Sequence, residues 1–228
     1  MVGALLVGCG GDDDGGGSDA GPSDDAADTT STTMATGGIE VDAPDGWTAI
    51  PVPVLGFGLA VPPGWEATRL DAEGLSSTGQ AEPVVPGFVA AAHSAAQSGA
   101  VFYAAGVDAE GRVADLSVRA ILDSGIADTA GLESLAGQLA GERGWASPVI
   151  EPVADAARPT VEVRFQADAA RANDDDPDQT DQVTVEGTER LVLSRGGAVY
   201  SVVLTSEDAD IHDDLAAEIL ATFAFPSA

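Results

Sequence analysis

Short segments in which apolar and polar residues alternate recur along this chain, and they restrict its fold more than any other feature. Val161, Val163 and Phe165 alternate with polar residues, which is the period of a strand with one wet face. The segment 198–204 is apolar in both phases, so we expect it mid-sheet with cover on both faces. Period-two segments of this kind predict a β-sheet.

Turns of hairpin length join these segments, which favours antiparallel pairing. Residues 108–112 suit the loop of a hairpin between strands at 100–107 and 113–121. The turn Pro62-Pro63-Gly64 is expected to fold 65–70 back onto the strand at 55–61. Further strands are predicted at 146–153, 160–167 and 182–194, while residues 71–85 carry no period and are predicted as loop.

Helical spacing replaces the period of two in three places. Helices are predicted at 86–97, 129–143 and 210–223, the second capped by Asp128 or Thr129 and ended near Gly144. Few helices among many hairpins predict an α+β fold, an antiparallel β-sheet of about six to eight strands flanked by helices. We assign residues 46–228 to this single domain.

Residues 10–45 differ from the rest in composition, with ten acids, no base and many glycines. Such a segment cannot bury enough apolar surface to offset the entropy of ordering, so we predict a disordered acidic linker. The whole chain has 38 acids and nine bases, for a net charge of −29. Residues 69–228 hold 27 acids and all nine arginines, which leaves −18. A field of this sign repels phosphate backbones and anionic head groups, so nucleic acid is not expected as a partner.

Cys9 is the one cysteine of the chain, and it follows a short apolar run and the small residue Gly8. This is the arrangement of a lipoprotein processing site, in which the cysteine becomes the first mature residue and carries a diacylglycerol. No basic residue precedes the run, which is shorter than a complete signal peptide. We therefore interpret residues 1–9 as the truncated remnant of a signal that ends at a lipidated Cys9.

Three stretches resemble the PsbP-like superfamily, which includes actinobacterial lipoproteins: FGLAVPPGW at 57–65, GAVYSVVLT at 197–205 and ILATFAF at 219–225. The resemblance covers about residues 55–226. It implies an α/β/α sandwich that acts as a non-enzymatic accessory or binding protein. No catalytic or binding residue is carried over, because the matching positions are strand, turn and packing residues. The acidic loop predicted at 168–181 departs from the family pattern.

Candidate chemistry is sparse. A Ser, His and Asp site would have to use His93 or His212, and we favour exposed helix histidines instead. A zinc site needs about four N or S ligands. The chain has two histidines, and its one cysteine is assigned to the lipid, so no metal site is predicted. Asp174, Asp176 and Asp178 begin like a calcium loop. Gln179 and Val185, however, stand where such a loop needs Gly and Glu, so a solvated charge run is favoured over a weak cation site.

The tryptophans have two interpretations. Trp47, Trp65 and Trp145 would line a sugar or lipid groove or, as we favour, cover the core.

These observations favour a lipid-anchored accessory or binding protein on the extracytoplasmic face of a cell membrane. It would work without catalytic residues or cofactors. Its expected partners are the membrane, through the lipid on Cys9, and a protein or hydrophobic ligand. Two alternatives stay open. One is a cell-envelope hydrolase using surface carboxylates or His212, and the other is a lipid or hydrophobic-ligand carrier with an apolar cavity.

Overall fold

A computed structural model describes residues 34–36, 38–78, 83–108, 110–172 and 180–226. Its strands are β1 (Met34–Thr36), β2 (Ile39–Val41), β3 (Thr48–Val52), β4 (Phe57–Val61), β5 (Glu66–Arg69), β6 (Phe102–Val107), β7 (Val113–Ile121), β8 (Ala146–Pro152), β9 (Thr160–Ala172), β10 (Thr180–Leu193) and β11 (Val199–Ser206). The helices of the same ranges are α1 (Ala72–Thr78), α2 (Phe88–Gln97), α3 (Thr129–Arg143) and α4 (Ala209–Ala221).

Seven of the strands form one antiparallel sheet in the order β5-β6-β7-β11-β10-β9-β8. Two small two-stranded sheets, β1-β2 and β3-β4, accompany it. This confirms the predicted α+β class with an antiparallel sheet flanked by helices. The sequence segment that is apolar in both phases is β11, the central strand of the seven. Its side chains are buried on both faces, Val202 and Leu204 in one core cluster and Val199 in another.

One face of the sheet, here called the α4 face, is covered by α4 and by strand β4. Ala216, Ile219 and Leu220 of the helix share a core cluster with Phe57 and Leu59 of the strand. The opposite face, here called the α2–α3 face, has two separate clusters. Helix α3 covers β9 and β10, and helix α2 covers β6. Beside α2 the surface of the sheet on this face is left open.

Helix α3 follows its sequence signals at both ends. The side chain of Asp128 accepts a hydrogen bond from the Gly131 N–H at 2.9 Å, which satisfies one of the free N–H groups of the first turn. Gly144 ends the helix at φ 68°, a left-handed conformation that favours glycine. Both ends of this helix were predicted correctly.

The sequence predicted that β4 would pair with β5, but this is wrong. Strand β4 pairs with β3. Strand β5 pairs instead with β6, because the turn after Val61 carries the chain from the small β3-β4 sheet to the edge of the large one. The predicted loop 71–85 contains the short helix α1. Its start is fixed by Asp71, whose carboxylate accepts from the Gly74 N–H at 2.8 Å. Neither the change of partner strand nor the short helix α1 leaves a periodic pattern in the sequence, so hydrophobic periodicity predicted neither of them.

The ordered chain begins earlier than the predicted boundary at residue 46. Ile39 and Val41 of β2 are fully buried, and they lie against Gly58, where an added Cβ would come within 2.5 Å of Val41. The glycine in β4 is what lets β2 approach. The remainder of the predicted linker, 10–33, is outside the described residues, as is the signal remnant with Cys9.

The predicted acidic loop 168–181 is partly strand. Strand β9 runs to Ala172 and β10 begins at Thr180, and these two residues are register partners. The β9-β10 ladder therefore continues beyond the segment that alternation alone identified. Residues 173–179, with Asp174, Asp176 and Asp178, lie outside the described residues. None of the described helices is long and apolar enough to cross a membrane.

Candidate functional site

An open groove of about 670 Å³ lies on the α2–α3 face. It extends from helix α2 to the end of the sheet where β6 and β7 are joined by their hairpin, an end marked by Val107, Gly111 and Val113. Its floor comes from β6, β7, β9, β10 and β11. We call it the α2 groove.

Small side chains on α2 create the space. Phe88 and Ala92 face the sheet and pack on Tyr103 and Ala105, with the rings of Phe88 and Tyr103 5.4 Å apart. The neighbouring stripe of the same helix faces the groove, and its residues are Ala90, Ala91, Ser94, Ala95 and Ser98. Because these side chains are short, they do not reach the sheet. Helix α2 therefore forms one wall of the groove, and the sheet surface beside it stays open.

The floor holds a hydrogen-bonded carboxyl group. Asp115 of β7 accepts from the Thr205 hydroxyl at 2.6 Å and from the Tyr103 hydroxyl at 3.3 Å. Burial raises the pKa of the Asp115 carboxyl above its ordinary value, and the nearby charge of Glu207 adds to the rise, while the two hydroxyl donors oppose it. Burial and the Asp115 charge raise the pKa of Tyr103, so its hydroxyl stays a donor.

The charge of the groove is negative. Asp115 and Glu207 are the charged residues among those that line it, and Glu207 also accepts a hydrogen bond from the Val113 N–H at 3.1 Å. Valines 85, 107, 113, 183 and 185 supply apolar surface around them. An apolar cleft with two carboxyl groups suits a neutral or cationic ligand and repels an anionic one.

A second charged cluster lies on the same sheet face beneath the end of α3. Glu189 is fully buried and accepts from the Ser201 hydroxyl at 2.5 Å and from Arg143 at 2.8 Å. Arg119 lies near both charges, and it donates to the Ser98 hydroxyl at 3.0 Å. Ser201 is as inaccessible as Glu189, so this cluster fixes α3 against the sheet and offers no surface for a substrate.

The two histidines lie apart from the groove. His93 is exposed on α2, as predicted, and is absent from the groove lining. His212 is buried on the α4 face, where its Nε2 lies 2.9 Å from the Thr188 hydroxyl, so its predicted exposure is wrong. Burial lowers the pKa of His212, against a smaller opposite effect from Asp213 and Glu186. His212 belongs to the buried side of α4 together with Ala216, Ile219 and Leu220, whereas Ile211 of the same turn is exposed, and this places the ring at Thr188.

The three tryptophans cover the core. Trp145 stacks on Phe165 with ring centroids 3.5 Å apart, Trp65 lies over Gly106, and Trp47 packs against two core clusters. None of the three is among the residues that line the α2 groove. Within the described ranges there is also no group of three or more His, Cys, Asp or Glu placed to hold a metal ion.

Sequence reasoning did not single out Asp115 or Glu207. A signal was present in the predicted strand 113–121, since Asp115, Ser117 and Arg119 are polar at alternate positions. In the structure this phase faces the space between α2 and α3, and alternation alone does not show which side of a strand will be covered by helices from distant parts of the chain.

Comparison with known proteins gives little. No protein-family model matches this sequence, and no curated protein matches it. Among solved structures the chain is similar to one described as "Crystal structure of LpqN involved in cell envelope biogenesis of Mycobacterium tuberculosis". The TM-score is 0.39 and the identity 12%, over 79% of this chain and 91% of that one. The PsbP-like resemblance stays a prediction.

Proposed function

We propose that this protein is a non-enzymatic ligand-binding module, held at the extracytoplasmic face of a membrane by lipid on Cys9. The observation that carries the proposal is the α2 groove, an open cleft of about 670 Å³ with an apolar wall and a polar floor. That size is within the range of small-molecule sites. A groove of this kind favours a small ligand over the protein-assembly role that the sequence also allowed.

The lining defines the chemistry of the ligand. An apolar segment would lie along Ala91 and Ala95 of α2, where contact with small side chains removes apolar surface from water. A cationic or hydrogen-bond-donating group would reach Asp115, whose carboxylate has lone pairs beyond those used by Thr205 and Tyr103. The ligand is thus an amphiphile with a neutral or cationic head, which combines the binding-module reading with the carrier alternative.

The position of the histidines supports a binding role over hydrolysis. His212 is 3% exposed and lies on the face of the sheet opposite the groove. His93 is on α2 but not among the lining residues. A hydrolase at the groove would have to activate Ser117 or a water through a carboxylate, Asp115 or Glu207, because neither histidine is among the lining residues.

Filling the groove tests the proposal. Ser94→Trp places a large side chain in the cleft, and His93→Trp places the same side chain on α2 outside it. The probe is N-phenyl-1-naphthylamine, whose fluorescence rises in apolar surroundings. We expect the native protein and His93→Trp to enhance the fluorescence and Ser94→Trp to lose most of that enhancement. Equal enhancement by the two variants, both folded, would exclude the groove as the binding site.

Displacement of the probe tests the charge of the head group. An alkyl ammonium and an alkyl sulfate of the same chain length are compared below their micelle concentrations. The ammonium should displace the probe at least tenfold more effectively, because Asp115 and Glu207 attract one head and repel the other. Preference for the sulfate would contradict the assigned ligand class.

A further inference from the structure

One end of the sheet combines exposed apolar side chains with two arginines. It lies opposite the β6-β7 hairpin and is formed by the turns 53–56, 122–125, 153–159 and 194–198. Val54 and Leu122 are exposed there, at 73% and 69%. Arg158 and Arg195 belong to the other two turns. We call this surface, defined by these four residues, the arginine end.

Contacts between the turns place all four residues together. The Tyr200 hydroxyl donates to the Leu55 carbonyl, next to Val54. The Ser124 hydroxyl donates to the Gly197 carbonyl at 3.5 Å, which joins the turn of Leu122 to that of Arg195. The Leu193 N–H donates to the Pro159 carbonyl at 3.0 Å, which brings Arg158 beside them. The four residues therefore form one continuous surface at the end of the sheet.

The two arginines there differ from six other arginines whose side chains the structure describes. Arginines 69, 112, 143, 164 and 190 form salt bridges with carboxylates, and Arg119 donates to Ser98. Within the described part of the chain, Arg158 and Arg195 form no ion pair. The Arg158 guanidinium lies over the ring of Phe225 at 4.4 Å, and burial together with the Arg195 charge lowers its pKa. Two neighbouring cations that form no ion pair with a described carboxylate, in a chain of 38 acids, point to an anionic partner.

The distribution of charge indicates which side of the domain an anionic surface can approach. Asp123 and Asp155 are the acids of these four turns, so with Arg158 and Arg195 the arginine end is neutral, whereas residues 69–228 carry −18 in total. An anionic surface would repel the rest of the domain and meet least repulsion here. Membrane-bound surfaces place aliphatic side chains and arginines at the boundary between lipid head groups and acyl chains. The arginine end has both residue types exposed, with the ring of Phe225 beneath Arg158.

We propose that the arginine end rests on the surface of an anionic lipid bilayer, with Arg158 and Arg195 at the head groups and Val54 and Leu122 at their boundary with the acyl chains. The spacer predicted from the sequence allows this contact. A domain tethered by lipid at Cys9 is held at a high local concentration beside the bilayer. The α2 groove, marked by Val107, Gly111 and Glu207 at the opposite end, would then open away from the membrane.

A site-specific dye tests this orientation. Full-length chains carry Cys9→Ser and an N-terminal histidine tag, which holds them on vesicles containing a nickel-chelating lipid. A polarity-sensitive dye is attached at Gly196→Cys, where an added side chain has open space. The control is Glu110→Cys, exposed in the β6-β7 turn at the other end. Vesicles are phosphatidylcholine alone or with phosphatidylglycerol.

We expect the dye at position 196 to gain at least twofold in emission on the phosphatidylglycerol vesicles over the neutral ones, and the dye at 110 to show no gain. Arg195→Gln should remove about half of the gain and Arg158→Gln/Arg195→Gln most of it. The matched change Arg164→Gln, an exposed arginine elsewhere, should leave it unchanged. Molar salt should reduce the gain while the nickel tether holds.

Several results would overturn the proposal. They are equal emission on neutral and anionic vesicles, equal gains at positions 196 and 110, or a gain that survives loss of both arginines in a folded variant. A gain with soluble polyglutamate but not with vesicles would assign the arginine end to an acidic protein instead of a membrane. Binding of the naphthylamine probe in the α2 groove is independent of all these outcomes, so failure here leaves the proposed function standing.

Discussion

Among single residues, Asp115 shows how a buried carboxyl group can lower stability and at the same time provide a binding group. Its carboxyl group faces the space beneath α2, and burial raises its pKa. Two hydroxyl groups satisfy part of its hydrogen-bonding capacity. The remaining lone pairs of the carboxylate are available to a ligand. In the absence of a ligand, the buried charge should lower the free energy of unfolding.

The variant Asp115→Asn tests this cost. A raised pKa in the folded state means that the unfolded chain releases the proton more readily, so stability is lost as pH rises through the folded pKa. Removing the charge should raise the melting temperature at pH 7 by about 2 to 4 °C, the shift that 1 kcal/mol gives a domain of this size. The advantage should shrink as pH falls and disappear below the unfolded value of about 3.9, where the folded and the unfolded chain both hold the proton. A variant less stable than the native protein at pH 7 would contradict the assignment.

His212 gives the opposite pH dependence. Burial lowers its pKa, so stability should fall as pH decreases below about 6.5, where the unfolded chain takes up the proton first. His212→Ala should lose this acid dependence and lower the free energy of unfolding by about 1 to 3 kcal/mol, because the Thr188 hydroxyl loses its partner. Urea unfolding at pH 7.5 and 5.5 measures both effects. His93→Ala, on an exposed position, should stay within about 0.5 kcal/mol at both pH values.

At the scale of elements, strands and helices with strong periodicity were predictable. The helix α3 and the central strand β11 follow local rules of capping and alternation. The pairing of β4 with β3 and the strand β2 did not follow from periodicity. Strand β2 depends on Gly58, whose missing side chain leaves room for Ile39 and Val41, and a contact of this kind between separate segments leaves no periodic signal in the sequence. The groove escaped prediction for the same reason, since its wall and floor come from α2 and from strands that lie, in the case of β11, more than a hundred residues away.

Gly187 shows how one missing side chain positions an element. An added Cβ would come within 2.2 Å of the Phe165 ring, which is itself stacked on Trp145. Gly187→Ala should therefore lower the free energy of unfolding by about 1 to 3 kcal/mol, the usual cost of overpacking. Gly141→Ala is the control, since α3 leaves open space there, and it should raise stability by about 0.5 to 1 kcal/mol. Equal effects of the two changes would contradict the close packing of Phe165 on β10.

At the scale of the whole molecule, charge dominates. Residues 69–228 carry −18, and salt bridges engage only some of the acids. Raising salt from low to about molar concentration should raise the melting temperature, because screening weakens the repulsion between exposed carboxylates. The comparison is best made on the full chain, since a fragment beginning at residue 46 would lack the buried Ile39 and Val41. A melting temperature that stays flat or falls would count against a surface destabilised by its acids.

The central claim is that the α2 groove holds a ligand while Cys9 holds the chain on the membrane. Native mass spectrometry of the protein extracted from its own membrane tests it most directly. We expect a diacylglycerol-sized addition that disappears in Cys9→Ser, and a separate dissociable ligand that is present in the native protein and in His93→Trp but absent from Ser94→Trp. A ligand-free mass for all three proteins, or a ligand retained equally by Ser94→Trp, would contradict the account.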